Sequence, residues 1–137
     1  MAVIRLTRED RLQSKLVDNA DWYKSKVDKF AVEPAKTDQS TNYVFYCKIL
    51  EGPEKGVPCR VSFSEKFLGP FAGFAEAAGA EVDKDSEVQN FNPEGFVGAE
   101  LYIFIEPKEN KNDKKMYNTP NGFMSLSNYQ ATMGQAV

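Results

Sequence analysis

Three groups of side chains have the types and spacing to do chemistry: the thiols Cys47 and Cys59, the alternating carboxylates Asp83, Asp85 and Glu87, and a set made of Tyr46, Lys48 and Arg60. The thiols are too few for a metal site built on sulfur. They fall in two segments that would lie opposite each other in a hairpin, close enough for a bridge. In a reducing compartment, two reduced thiols in the core are the expectation. The carboxylates resemble part of a calcium loop, but the glycine and the terminal glutamate of such a loop are missing from their places. No metal is expected.

The third group is a ring with two cations. A ring gives a nucleic-acid base a surface to stack on, and a cation meets phosphate. No histidine is present, which removes the commonest general base. No glycine-rich phosphate loop and no catalytic signature appears, and no pair of carboxylates stands apart as an acid and a base. The expectation is a binding protein rather than an enzyme, without a cofactor.

The elements that must position these residues follow from periodicity. Thr7 is placed as an N-cap with Asp10 at N3, and Leu12 and Leu16 are spaced for a short helix over 8–17. Trp22 to Val32 reads as a first strand whose apolar parity changes, which a bulge near Asp28 reconciles. The polar run 33–40 is a loop carrying Lys36. Thr41 to Leu50 and Val57 to Phe63 form a hairpin around Gly52-Pro53-Glu54-Lys55-Gly56. With a turn centred on Pro53, Tyr46 pairs with Arg60 and Cys47 with Cys59. One face then carries Tyr43, Phe45, Cys47, Ile49, Val57, Cys59, Val61 and Phe63 and belongs to the core. The other carries Val44, Tyr46 and Lys48 opposite Pro58, Arg60 and Ser62.

Glu65 to Gly79 is predicted helical, with Phe67, Phe71, Phe74 and Ala78 on one core-facing stripe and Pro70 in the first turn. An acidic connection follows, and Asn92-Pro93-Glu94 starts one further turn. Ala99 to Glu106 is a fourth strand. Pro107 to Lys115 is a loop holding Lys108, Lys111, Lys114 and Lys115. Met116-Tyr117 and Gly122 to Ser127 supply a fifth strand around a turn at Thr119-Pro120-Asn121. Residues 128–137 show no strong pattern. The expected fold is mainly β (α+β): a five-stranded OB-like β-barrel with a helix between strands 3 and 4 and a short N-terminal helix. The predicted organisation is an N-terminal helical segment at 1–19, the barrel domain at 20–127 and a tail at 128–137. A different small β-sandwich is the competing architecture.

Net charge is −3, unevenly spread. Glu76, Glu81, Asp83, Asp85, Glu87, Glu94 and Glu100 face only Lys84 in their stretch, and the rest of the chain is net positive. A local basic groove is therefore compatible with an acidic protein. No apolar run reaches the length of a membrane span, and no signal-peptide core is evident at the start.

Several segments resemble a family of small phage-encoded proteins: Asp21-Trp22-Tyr23-Lys24, Ser40-Thr41-Asn42-Tyr43-Val44, Leu50 to Pro58, Phe63-Ser64-Glu65-Lys66 and Gly98-Ala99-Glu100. The similarity spans roughly residues 5–127. Members of that family are uncharacterised or are described as single-stranded DNA-binding proteins with an OB-fold. The resemblance implies a sequence-tolerant single-stranded DNA-binding protein of phage replication or recombination, in the host cytoplasm. Its implied partners are single-stranded DNA, phage replication or recombination proteins, and a second copy of the chain. The acidic tail by which many such proteins recruit partners has no counterpart in Tyr129 to Val137. The resemblance supplies no contact residues. Those expected to bind nucleic acid come from the face and loop analysis: Tyr46, Lys48, Arg60, Lys36, Lys108, Lys111, Lys114 and Lys115. The alternative function is a non-catalytic protein-interaction or virion-associated scaffold on a β-barrel frame.

Overall fold

A computed structural model describes residues 2–35 and 40–134. Its architecture is mainly β, with five antiparallel strands and three α-helices. Helix α1 (Arg8–Leu12) starts as predicted: the Thr7 hydroxyl accepts from the Asp10 amide at 3.2 Å, and the Asp10 carboxylate accepts from the Thr7 amide at 2.9 Å. It stops well short of residue 17. Instead of continuing, the chain is tied to the sheet. Lys15 pairs with the buried Glu54 at 2.5 Å, and Asn118 accepts from the Val17 amide at 2.9 Å. The stretch from Leu12 to Val17 is thus bound to the sheet.

The strands are β1 (Asp21–Pro34), β2 (Thr41–Ile49), β3 (Pro58–Ser64), β4 (Glu100–Glu109) and β5 (Met116–Met124), in the spatial order β3-β2-β1-β4-β5. The expected bulge in β1 is present: Val27 opposes Cys47 but Lys29 opposes Tyr46, leaving Asp28 extra. The β2–β3 register is also as read, with Tyr46 opposite Arg60 and Cys47 opposite Cys59. No ladder joins the outer strands β3 and β5. A side chain spans them instead, with Asn118 donating to the Pro58 carbonyl at 3.1 Å.

Alternation sends Val27, Phe45, Cys47, Cys59, Val61, Leu101, Ile103 and Ile105 to one side of the sheet. Helix α2 (Gly69–Ala77) lays Phe74, Ala75 and Ala77 against them. The Phe45 ring is central, 4.7 Å from Phe74 and 5.0 Å from Phe30 between centroids. Full burial of such a ring contributes about 1.5–3 kcal/mol. A 3-10 turn at Pro93–Phe96, capped by Asn92, adds Phe96 to the same cluster.

Four expectations are corrected. Phe67 is not on a helix stripe but 76% exposed. Pro70 lacks an N–H and fits only a first turn, so the helix begins after Leu68 and leaves Phe67 outside it. The turn at 119–121 is absent and β5 runs through it. Ile103 opposes Phe123 while Ile105 opposes Pro120, so the extra residue is absorbed as a bulge. Proline is accommodated because β5 has no ladder partner on its other side. The fifth strand ends at Met124 rather than Ser127, and Leu126–Gly134, which takes in much of the stretch read as patternless from 128, forms helix α3. Ser125 caps it by accepting from the Asn128 amide at 3.1 Å, and Tyr129 stacks on Tyr102 at 3.6 Å between centroids. Val44, read as part of the outer hairpin face, is fully buried between Ala31 and Ser62. Among the described residues no helix is long and apolar enough to cross a membrane.

Candidate nucleic-acid interface

The face of β1–β2–β3 turned away from the core begins with the bulge. Beyond Asp28 the parity of β1 changes, so Lys29, Ala31 and Glu33 share a face with Tyr46, Val44 and Asn42. The next strand adds Arg60 and Ser62. On this surface Glu33 is a hub. Tyr46 Oη donates to its Oε2, and Arg60 Nη2 donates to its Oε1 at 2.9 Å. Lys29 Nζ sits 4.6 Å from the centre of the Tyr46 ring, a cation–π arrangement. The hydrogen bonds from Tyr46 and then Arg60 hold the Glu33 carboxyl below its ordinary range, and the bond to Glu33 raises Tyr46.

This surface forms one wall of a groove of about 1160 Å³. The opposite wall is the β4–β5 hairpin, and the segment Gln13–Leu16 lines it as well. Two tyrosine rings border it, Tyr46 and Tyr117. So do four cations, Lys15, Arg60, Lys108 and Lys111, and three carboxylates, Glu33, Glu109 and Asp113. The groove follows the unpaired edges of β3 and β5, since Pro58, Cys59 and Arg60 face Met116 to Pro120 across it.

The predicted site residues divide. Tyr46, Arg60, Lys108 and Lys111 converge on the groove. Lys108, read as part of the 107–115 loop, lies instead in β4 opposite Tyr117 and is paired with Glu106 at 2.8 Å. Lys48 shares the sheet face but does not line the groove. Its ammonium is drawn to Glu9 at 3.5 Å and Asp28 at 3.6 Å, because α1 and the bulge place carboxylates at that end. Lys114 and Lys115 are exposed at the hairpin tip outside the groove lining, with Lys114 at a positive φ of 59°. Lys36 lies outside the described residues.

Sequence reasoning missed Lys15, Glu33 and Tyr117, which line the groove, and Lys29, which lies beside it over the Tyr46 ring without lining it. The bulge near Asp28 was itself a usable signal for Lys29, which it carries onto the face of Tyr46; Glu33, read as the start of the 33–40 loop, instead lies in β1, which continues to Pro34. Tyr117 is 44% exposed and donates to Asp113 at 2.5 Å, an arrangement that alternation alone does not disclose.

Cys47 and Cys59 are free and buried. Burial pushes the Cys59 thiol up to about 12 and raises Cys47 as well, so neither is a ready nucleophile. In the acidic connection, Asp83 accepts from the Asp85 amide at 3.0 Å, an Asx-type turn. Compared with known proteins, the chain matches no family model and no curated sequence.

Proposed function

We propose that this protein binds single-stranded DNA, with little regard to sequence, in the groove between the β1–β2–β3 face and the β4–β5 hairpin. The observation that carries this reading is the convergence of Tyr46, Tyr117, Arg60, Lys108 and Lys111 on one open groove. Rings stack on any base and cations follow the backbone, so such a lining favours single strands over a specific duplex sequence. The strands are read as an OB-like barrel left ajar between β3 and β5. Their spatial order and the Asn118–Pro58 bridge support this, because joining those two edges would complete a five-stranded ring. The resemblance to small phage-encoded proteins supports a place in phage replication or recombination.

The test is a fluorescence anisotropy titration of labelled oligo-dT at increasing salt. Log affinity should fall linearly with log salt as counterions are released. Tyr46→Ala should weaken binding by about fivefold or more, as loss of one stacked base does. Absence of oligo-dT binding at low salt overturns the reading. A salt-insensitive complex with a protein partner in its place would favour the scaffold function.

A further inference from the structure

We propose that the Glu33 carboxylate occupies a phosphate subsite formed by Lys29, Tyr46 and Arg60, and that a phosphodiester of the bound strand displaces it. The inference rests on the strand-binding reading above. It identifies Lys29 as a ligand-binding residue and Glu33 as the chain's own occupant of the site.

The geometry is that of an anion receptor with its anion in place. The two oxygens of Glu33 take one donor each, from Tyr46 Oη and Arg60 Nη2. The Lys29 ammonium stands over the same tyrosine ring. A phosphodiester presents a comparable pair of anionic oxygens, and guanidinium groups bind carboxylate and phosphate with the same fork of donors. Arg60 pairs with the carboxylate and Lys29 stands over the adjoining ring, so the subsite sets two positive charges against one negative while Glu33 is bound. Arg60 is 47% exposed and lines the groove, so an incoming strand can reach it. Glu33 is 34% exposed near the end of β1, on a long side chain that can turn outward.

The internal carboxylate acts as a competitor. Binding must first release Arg60 and Tyr46, so apparent affinity is reduced by the fraction of molecules in which Glu33 is docked. A ligand offering one weak anion is thereby disfavoured. A strand that also engages the hairpin lysines and stacks on the rings can compensate for the displaced pair.

The experiment compares oligo-dT binding by the full chain and five variants: Glu33→Gln, Glu33→Asp, Glu109→Gln, Arg60→Ala and the Glu33→Gln/Arg60→Ala double variant. Glu33→Gln should tighten binding by about three- to tenfold, the range for losing a partly exposed charge-assisted pair. Glu33→Asp, too short to hold both donors, should tighten it less. Glu109 lines the same groove, so Glu109→Gln reports the general effect of removing a negative charge and should fall below Glu33→Gln. In the Arg60→Ala background the gain from Glu33→Gln should shrink to the Glu109→Gln level. If Arg60→Ala weakens binding but the Glu33 variants leave it unchanged or weaker, the subsite is overturned and the strand-binding reading stands. Equal effects of Glu33→Gln and Glu109→Gln overturn the subsite in the same way. Absent oligo-dT binding, or binding indifferent to Arg60→Ala, removes the reading and the subsite with it.

Discussion

Asn118 on β5 donates to the main-chain carbonyl of Pro58 on β3 at 3.1 Å, and this bond links two strands that share no ladder. The same side chain donates to the Lys15 carbonyl at 3.0 Å and accepts from the Val17 amide at 2.9 Å. Three segments remote in sequence therefore meet at one amide. Asn118→Ala leaves these partly buried main-chain groups without partners, at about 1–3 kcal/mol. A lower urea midpoint is the expected result. An unchanged midpoint would show that water replaces the bridge at no cost.

Phe45 lies at the centre of the aromatic cluster and has no exposure. Its ring meets Phe30, Phe63, Phe71, Phe74 and Phe96. Phe45→Ala should destabilise the fold by about 3–5 kcal/mol through lost burial and the cavity left behind. Chemical denaturation measures this directly, and a loss below about 1 kcal/mol would mean that the cluster collapses around the gap.

The Glu33 carboxyl is held below its ordinary value of 4.5 by Tyr46 and Arg60. A lowered folded-state pKa stabilises the fold fully above the ordinary value and loses that contribution as pH falls through the folded value. Stability measured against pH should therefore drop on the acid side, and Glu33→Gln should flatten that limb. The variant keeps whatever Asp10 adds to that limb, its carboxyl also being lowered by its bonds with Thr7. An acid limb of equal slope in both proteins would contradict the assignment.

The hairpin lysines are not equivalent. Lys111 lines the groove, whereas Lys114 and Lys115 lie outside it. Lys111→Ala should lower oligo-dT affinity and reduce the salt slope by about one. Lys114→Ala and Lys115→Ala should change both less. Three equal effects would point to diffuse attraction to the loop rather than a path along the groove.

Thiol labelling tests the core. Cys47 and Cys59 are buried, and burial disfavours their thiolates. Native protein at mildly alkaline pH should react with neither, and both should react in denaturant. Rapid labelling of the native state would mean that the β2–β3 sheet opens.

The hairpin was legible because its alternation is continuous and its turn is marked by Gly52-Pro53, which together determine the register of Tyr46 with Arg60. The bulge in β1 was legible from the parity change between Val27 and Phe30. Helix α3 was not, because it is short and its apolar residues Leu126, Tyr129 and Met133 are thinly spread among Ser, Asn, Gln and Thr. The Pro120-Asn121-Gly122 sequence signals a turn locally, and its absorption into an edge strand depends on what lies beyond β5. Within the site, the positions of Tyr46 and Arg60 could be read from one hairpin. The diversion of Lys48 needed the position of α1, and the docking of Glu33 needed the β1–β2 register, neither of which is written in local sequence.

The single extra residue at Asp28 makes β1 a strand of two phases. Before it, the even-numbered Trp22, Lys24 and Lys26 face outward; after it, the odd-numbered Lys29, Ala31 and Glu33 do. Drawing Asp28 into a continuous ladder would turn Lys29 and Glu33 toward the core and Phe30 toward the solvent, whereas deleting Asp28 would remove the bulge and leave each of them on its present face. The groove's charge pattern is thus encoded by the pairing of the chain as much as by the identity of any side chain within it.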